Sequence, residues 1–336
     1  MRLCDRNWLG TVARLFPALM LGIVAAASAA AQTVPGASDW PKRPVHLIVQ
    51  FPAGSSSDIV ARIVAQGLGR KLGQTLVVEN RPGASGVVAS EFVAHAPADG
   101  YTLGLVNTSF TLLPSLVATL NFDPVKSFAS ISMLGASPFI LAGYPGFSAH
   151  DVAGVIALAK SQPGKHTFAE AGPATLANLA GVLFNKMAGV EITPVSYRGS
   201  EQEVPDLIAG RVDLAFVTIP PTLPLIQQGQ VRALGVSGVK RSPLLPDVPT
   251  IAEAGLTGYE AVLWQAINAP AGTPAPIVER LNAETNALLR DPEIVKALAR
   301  IGVEAEPSTS QQLADRIAAD LKKWHDVIVS AGIAAQ

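Results

Sequence analysis

Val45-His46-Leu47-Ile48-Val49-Gln50-Phe51 runs into Pro52-Ala53-Gly54-Ser55-Ser56-Ser57-Asp58, a mostly apolar strand followed by a turn of small residues. From Asp58 the apolar positions Val60, Val64, Leu68 and Leu72 recur every four, alongside Ile59 and Ile63, which is the pattern of a helix with one buried face. A helix start of this kind leaves backbone N–H groups unpaired with the positive end of the helix dipole behind them, a cradle for a carboxylate or phosphate. Gly73 closes the helix; Thr75 to Val78 then reads as a strand, Ser85 to Ala94 as a helix and Tyr101 to Val106 as a third strand. Alternation of this sort implies an α/β fold with a parallel sheet, and ligands outside the carboxyl ends of its strands.

After Phe128 the pattern resumes. Ile131 to Leu134 and Phe139 to Ala142 read as strands, Ala149 to Ser161 as a helix and Lys165 to Ala169 as a strand. Ala171-Gly172-Pro173-Ala174-Thr175 then opens a helix carrying Leu176, Leu179, Leu183 and Met187, a second strand-to-helix junction of small residues. A helix near Val204 to Ala209 and strands at Leu214 to Val217 and Ala233 to Ser237 follow, and Pro243, Pro246 and Pro249 mark an irregular crossing segment. Val262 to Ala269 is a further strand, Ala275 to Leu289 a helix and Gln311 to Val329 a terminal helix, which would bury its apolar face most simply across the first lobe. Lobe one is then discontinuous, residues 40–138 plus 237–336, with lobe two at 139–236 and two chain crossings as the hinge.

The first 31 residues read as an export signal: Arg2, Arg6 and Arg14, an apolar run from Leu15 to Ala27, and a small-residue cleavage site at Ala29 to Ala31. The run is short for a membrane span, and the mature protein is expected to be exported. The sole cysteine, Cys4, lies inside this segment, so a mature chain has no disulfide or thiolate metal site. Without Arg2, Arg6, Arg14 and Asp5, the 25 basic and 26 acidic residues of the 336-residue chain leave a net charge near −3. No basic run is present, which argues against a nucleic-acid partner.

The succession W-P-K-R-P-V-H-L-I-V-Q-F-P-A-G-S-S-S-D from Trp40, V-V-E-N-R-P-G-A-S-G from Val77, A-D-G-Y-T-L from Ala98, R-S-P-L-L-P-D-V-P-T-I-A-E-A-G from Arg241 and A-P-A-G-T-P from Ala269 resembles the Bug (TctC-type) solute-binding receptors of tripartite tricarboxylate transporters. The resemblance runs from Trp40 to near Gly332. It implies a two-lobed periplasmic binding protein type II fold with two crossing strands as hinge. That fold closes on a small carboxylate-bearing ligand, a di- or tricarboxylate, amino acid or aromatic carboxylate, and hands it to membrane permease subunits. It also implies that the turns at Phe51 to Asp58 and Ala171 to Thr175 hold the carboxylate from opposite sides. A monomer without cofactor or metal is expected.

The residues expected at the ligand are Ala53, Gly54, Ser55, Ser56 and Ser57 in the first turn and Gly172, Ala174 and Thr175 in the second. Ser and Thr before a helix also serve as plain caps, and Asp58 is assigned to its own helix because a carboxylate facing an anionic ligand repels it. Asn107, Thr108 and Ser109 follow the third strand, where Asn107 and Ser109 can offer an amide and a hydroxyl or simply form a turn. Arg198 lies in Tyr197-Arg198-Gly199-Ser200, which matches a family segment; it neutralises a second carboxylate or forms an ordinary ion pair. Trp264 stands where the family often has tryptophan and either flanks the cleft or sits in the core.

Three departures from the family bear on ligand choice: Glu170 in place of a small or hydroxyl residue, Asn178 in place of histidine, and Val217-Thr218 in place of an acidic or amide-bearing segment. A Glu170 facing the cleft penalises a polyanion and favours an amine or hydroxyl; one facing solvent has no such effect. An enzyme is the rival class, but there is no G-x-S-x-G or H-E-x-x-H, and His46, His95, His150, His166 and His325 are scattered without ligand spacing. A receptor that reports ligand occupancy to a sensor protein is the other alternative, since it would use the same closed form.

Overall fold

The computed structural model describes residues 40–170, 175–197 and 200–334. The expected export signal and the turn at 171–174 lie outside the described residues. In chain order the elements are β1 (Val45–Val49), α1 (Ser56–Leu72), β2 (Leu76–Asn80), α2 (Val87–Ala94), β3 (Thr102–Asn107), α3 (Thr108–Leu116), β4 (Phe128–Gly143), α4 (Val152–Ser161), β5 (Thr167–Glu170) and α5 (Leu176–Ala188). They continue with β6 (Thr193–Ser196), α6 (Ser200–Ile208), β7 (Leu214–Thr218), α7 (Ile219–Gln227), β8 (Arg232–Val236), β9 (Val262–Pro270), α8 (Ala275–Leu288), α9 (Pro292–Arg300), β10 (Glu304–Ala305) and α10 (Ser310–Ser330).

Helix α1 forms where its pattern puts it. Val60, Val64 and Leu68 are fully buried on the face that covers β1, and Leu72 nearly so. Each such side chain contributes roughly 1.5–3 kcal/mol on burial. Gly73, at φ 70, ends the helix in the left-handed region. Gly67 allows close approach: a Cβ there would lie 2.3 Å from the Leu288 side chain of α8, which would have to shift.

The strands run in the order β2-β1-β3-β9-β4-β7-β5-β6, with β8 and β10 also pairing with β4. β4 is where sequence and structure differ most. The two short strands expected at Ile131–Leu134 and Phe139–Ala142 are parts of one strand of 16 residues. Its first part pairs with β9 as far as Pro138, and from Phe139 it pairs with β7 and β8. Gly135 and Pro138 look like breakers in sequence, but they fall at a register shift and at the change of partner, where irregular backbone is tolerated.

Each lobe is a sheet covered on both faces. In lobe one, Leu47, Val49, Leu103 and Leu105 pack under α1, α8 and α9, while Val106, Met133 and Trp264 pack under α3 and α10. In lobe two, Leu141, Leu214 and Phe216 meet α4 and α5, and Ile140, Ala215 and Val217 meet α6 and α7. The terminal helix is not confined to lobe one. Leu313 and Ile317 join the lobe-one cluster around Trp264, whereas Trp324, Val327 and Ile328 join the cluster that holds Leu183 and Phe184 of α5.

Candidate functional site

Strand register locates the cleft. β3 is parallel to β1 and antiparallel to β9, and β9 is antiparallel to β4, so β4, one strand beyond β9, runs in the direction of β3 and draws level with its carboxyl end near Gly135. β7 runs antiparallel to β4, with its last residue, Thr218, opposite Phe139, and β5 is parallel to β7. The carboxyl ends of β1 and β3 therefore face those of β5 and β7 across Ala136–Pro138. The N-termini of α1 and α3 on one side, and of α5, α6 and α7 on the other, converge on this gap.

In the lobe-one turn the three serines differ in role. Ser55 Oγ accepts from the Asp58 N–H (3.3 Å) and caps α1. Ser57 is buried and accepts from Asn107 Nδ2 (3.4 Å). Ser56 is exposed and its hydroxyl is uncommitted among the described residues. The Ser56 and Ser57 N–H groups likewise reach no backbone carbonyl ahead of the helix. Gly54 is not available as expected, because its N–H donates to Asp58 Oδ2 (2.9 Å). Ala53 is exposed beside it.

Asp58 orders this turn. It accepts from the Arg62 guanidinium (3.0 Å), the Gly54 N–H and Asn80 Nδ2 (2.9 Å). Arg62 contributes most and, with the other two donors, outweighs burial to hold the carboxyl down at about 2.

Asn107 is also structural, although a ligand contact was expected. Its Oδ1 accepts from the Ser109 N–H and from Gln50 Nε2, both at 2.9 Å, so it caps α3 and ties together the ends of β1 and β3. Ser109 is half-buried in the first turn of α3. Trp264 does not flank the cleft. It is 0% exposed in the core with Val106, Phe110 and Leu313, and its indole N–H donates to Asp320 Oδ2 at 2.6 Å. Its place on a central strand under α10 is what buries it.

On the lobe-two side Thr175 Oγ1 accepts from the Asn178 N–H (3.2 Å) and caps α5. Gly172, Ala174 and Arg198 lie outside the described residues, as does the side chain of Glu170.

Of the wall beyond these turns, sequence reasoning picked out only Val217-Thr218, as a departure from the family. A cavity of about 350 Å³ is bounded by Phe139, Ala177, Phe216, Thr218, Thr222 and Glu203, with Val204, Pro205, Val217 and Pro221 completing it. Thr218 stands at the head of α7 without a side-chain capping bond. Glu203, in the first turn of α6, is 2% exposed, and its Oε1 has no hydrogen-bond partner. Burying an uncompensated polar group costs roughly 2–7 kcal/mol, and burial alone raises this carboxyl to about 7. Thr218 also follows the rule that gave Ser55 and Thr175, a hydroxyl between a strand end and a helix. The signal for Glu203 was weaker, an acidic residue four positions before Leu207 in an otherwise amphipathic helix.

Among the described residues no group of His, Cys, Asp and Glu is placed to hold a metal ion, and no helix is long and apolar enough to cross a membrane.

The chain is similar to known proteins over most of its length. The protein BugT of Bordetella pertussis is 35% identical over 315 residues, 93% of this chain and 96% of that protein. The solved structure of R. palustris Rpa4515 with adipate is 36% identical with a TM-score of 0.71, covering 89% of this chain and all of that one. That of MatC (Rpa3494) from Rhodopseudomonas palustris with bound malate is 30% identical with a TM-score of 0.66, covering 86% of this chain and all of that one. These neighbours share the two-lobed periplasmic binding protein fold built here from the strand register. Residues 60–333 match the tripartite tricarboxylate transporter family receptor, TctC, and the chain belongs to that family of periplasmic solute-binding proteins.

Proposed function

We propose that the exported, mature protein reversibly binds a small carboxylate-bearing ligand between its lobes and delivers it, without chemical change, to a tripartite tricarboxylate-type permease. The observation that carries this reading is the uncommitted set of donors at the head of α1: the Ser56 hydroxyl and the Ser56 and Ser57 N–H groups, facing the helix N-termini of lobe two. A hydrogen bond to a charged group contributes ~1.5–3 kcal/mol and each helix terminus up to ~2 kcal/mol when partly buried. Several of these terms together are enough for micromolar binding. The adipate and malate bound by two structural neighbours support the ligand class. Ala53, Ser109, Thr175, Gly172, Ala174 and Arg198 complete the proposed contacts, and residues 40–138 plus 237–336 close on 139–236 about the two crossings.

Titrating the chain from Gln32 onward with mono-, di- and tricarboxylates by calorimetry and thermal shift tests this. Ligand at a hundred times its Kd stabilises the fold by ~2.7 kcal/mol, and Ser56→Ala weakens binding by about 1 kcal/mol or more. If no carboxylate binds, or if one is turned over, the reading fails; unchanged affinity in Ser56→Ala removes the site assignment.

A further inference from the structure

Glu203 is a carboxyl in the wrong surroundings for a structural role. Phe139, Phe216, Val217 and Pro221 form much of the cavity wall it shares, and an apolar side chain would suit them better. No hydrogen bond or ion pair reaches it among the described residues, although nearby acidic groups are well supplied: Asp206 on the same helix takes both Tyr197 and Arg211. The neutral hydroxyls of Thr218 and Thr222 share the cavity, and no cation lines it among the described residues. A 350 Å³ space is large enough to hold a small organic molecule.

We infer that Glu203 is the specificity-determining residue of the cleft, and that the ligand carries an ammonium group as well as its carboxylate. The carboxylate sits at the head of α1. The ammonium enters the lobe-two cavity and supplies the partner that Glu203 lacks. Burial disfavours the ionised form of Glu203 in the empty receptor, and an ammonium alongside restores it. A dicarboxylate meets the opposite situation, because its second carboxylate would lie against Glu203 in a site with little water to screen the repulsion. The amine-reading glutamate inferred here is Glu203, on α6; the sequence left the direction of Glu170 open, and its side chain lies outside the described residues.

The inference deepens the carboxylate-receptor reading and rests on it. It is tested with five-carbon probes of matched length: pentanoate, 5-hydroxypentanoate, glutarate, 5-aminopentanoate and norvaline, titrated into the wild-type mature chain and into Glu203→Gln. At least one of the two amino-carboxylates is expected to bind wild type at least tenfold more tightly than pentanoate, 5-hydroxypentanoate and glutarate. In Glu203→Gln that margin disappears, while affinity for pentanoate stays within about threefold. Glutarate or 5-hydroxypentanoate equalling the amino-carboxylates in wild type overturns the inference and leaves the receptor reading standing. So does an amino-carboxylate preference that survives in Glu203→Gln. Failure of every carboxylate to bind overturns both. The wild-type comparison needs no variant, so a poorly folded Glu203→Gln does not rescue the proposal.

Discussion

Asp58 sits beside the proposed anion site yet belongs to the protein's own architecture. Its folded-state value of about 2 lies below the 3.8 of an ordinary aspartate, so between these values the unfolded chain binds more protons than the folded one. The stabilisation is therefore fully present above about pH 4 and is lost as pH falls through about 2. Allowing for solvent screening through the exposed Arg62, it is on the order of 1–2 kcal/mol. Asp58→Asn should lose this amount in urea denaturation at pH 7, and about half of the difference should remain at pH 3. Trp264 makes the opposite point, since its place in the chain allowed the cleft or the core and its burial puts it in the core. Trp264→Phe removes the indole N–H from Asp320, which keeps Arg316 at 3.1 Å. It should lower stability by about 1–3 kcal/mol and leave ligand affinity within about twofold by calorimetry; a tenfold loss of affinity at unchanged stability would return Trp264 to the ligand surface. The role of Asp58 was legible because capping is local, set by four or five adjacent residues. The burial of Trp264 and the isolation of Glu203 depend on α10 and β7, elements far away in sequence.

Elements were legible wherever one periodicity ran uninterrupted between clear end signals. α1, α5 and α10 show this: each has a hydroxyl cap and an apolar repeat, and α10 adds a reciprocal bond between Thr309 and Gln312. α7 was hidden by Pro220, Pro221 and Pro224, which read as breakers although two of them occupy the first turn, where a missing N–H does no harm. α3 begins immediately after β3 and contains Pro114, so no loop announces it. The turn before α1 depends on Gly54 at φ 84, where a Cβ would meet nothing within 4 Å. Gly54→Ala therefore carries only the left-handed backbone penalty, about 1–2 kcal/mol. Gly181→Ala is a different case: its Cβ would fall 2.6 Å from the Phe168 ring in the lobe-two core, so something must move. Thermal melts of the pair should rank Gly181→Ala as the more damaging, and the reverse order would show that the Gly54 turn has more contacts than its open surroundings imply.

For the whole molecule, the two chain crossings are not the only links between lobes. α10 packs Leu313 and Ile317 against lobe one, and Trp324, Val327 and Ile328 against the core shared with α5, where Lys186 also donates to the Asp326 carbonyl (3.1 Å). On the lobe-one side Ser115 of α3 meets His325 at 3.1 Å, and Arg316 binds Glu260 at the second crossing (2.9 Å). A rotation of one lobe against the other must either carry the end of α10 along with lobe two or slide it across α5. If the cleft opens by such a rotation, α10 is expected to limit how far. Trp324 is 1% exposed and is the largest side chain on the lobe-two part of that helix. Trp324→Ala should cost about 3–5 kcal/mol in urea denaturation. It should also increase the radius of gyration of the ligand-free protein in solution scattering, with the ligand-bound form much less affected because the ligand then holds the lobes together. Destabilisation without any change in the ligand-free dimensions would mean that α10 contributes to the core without restraining the hinge.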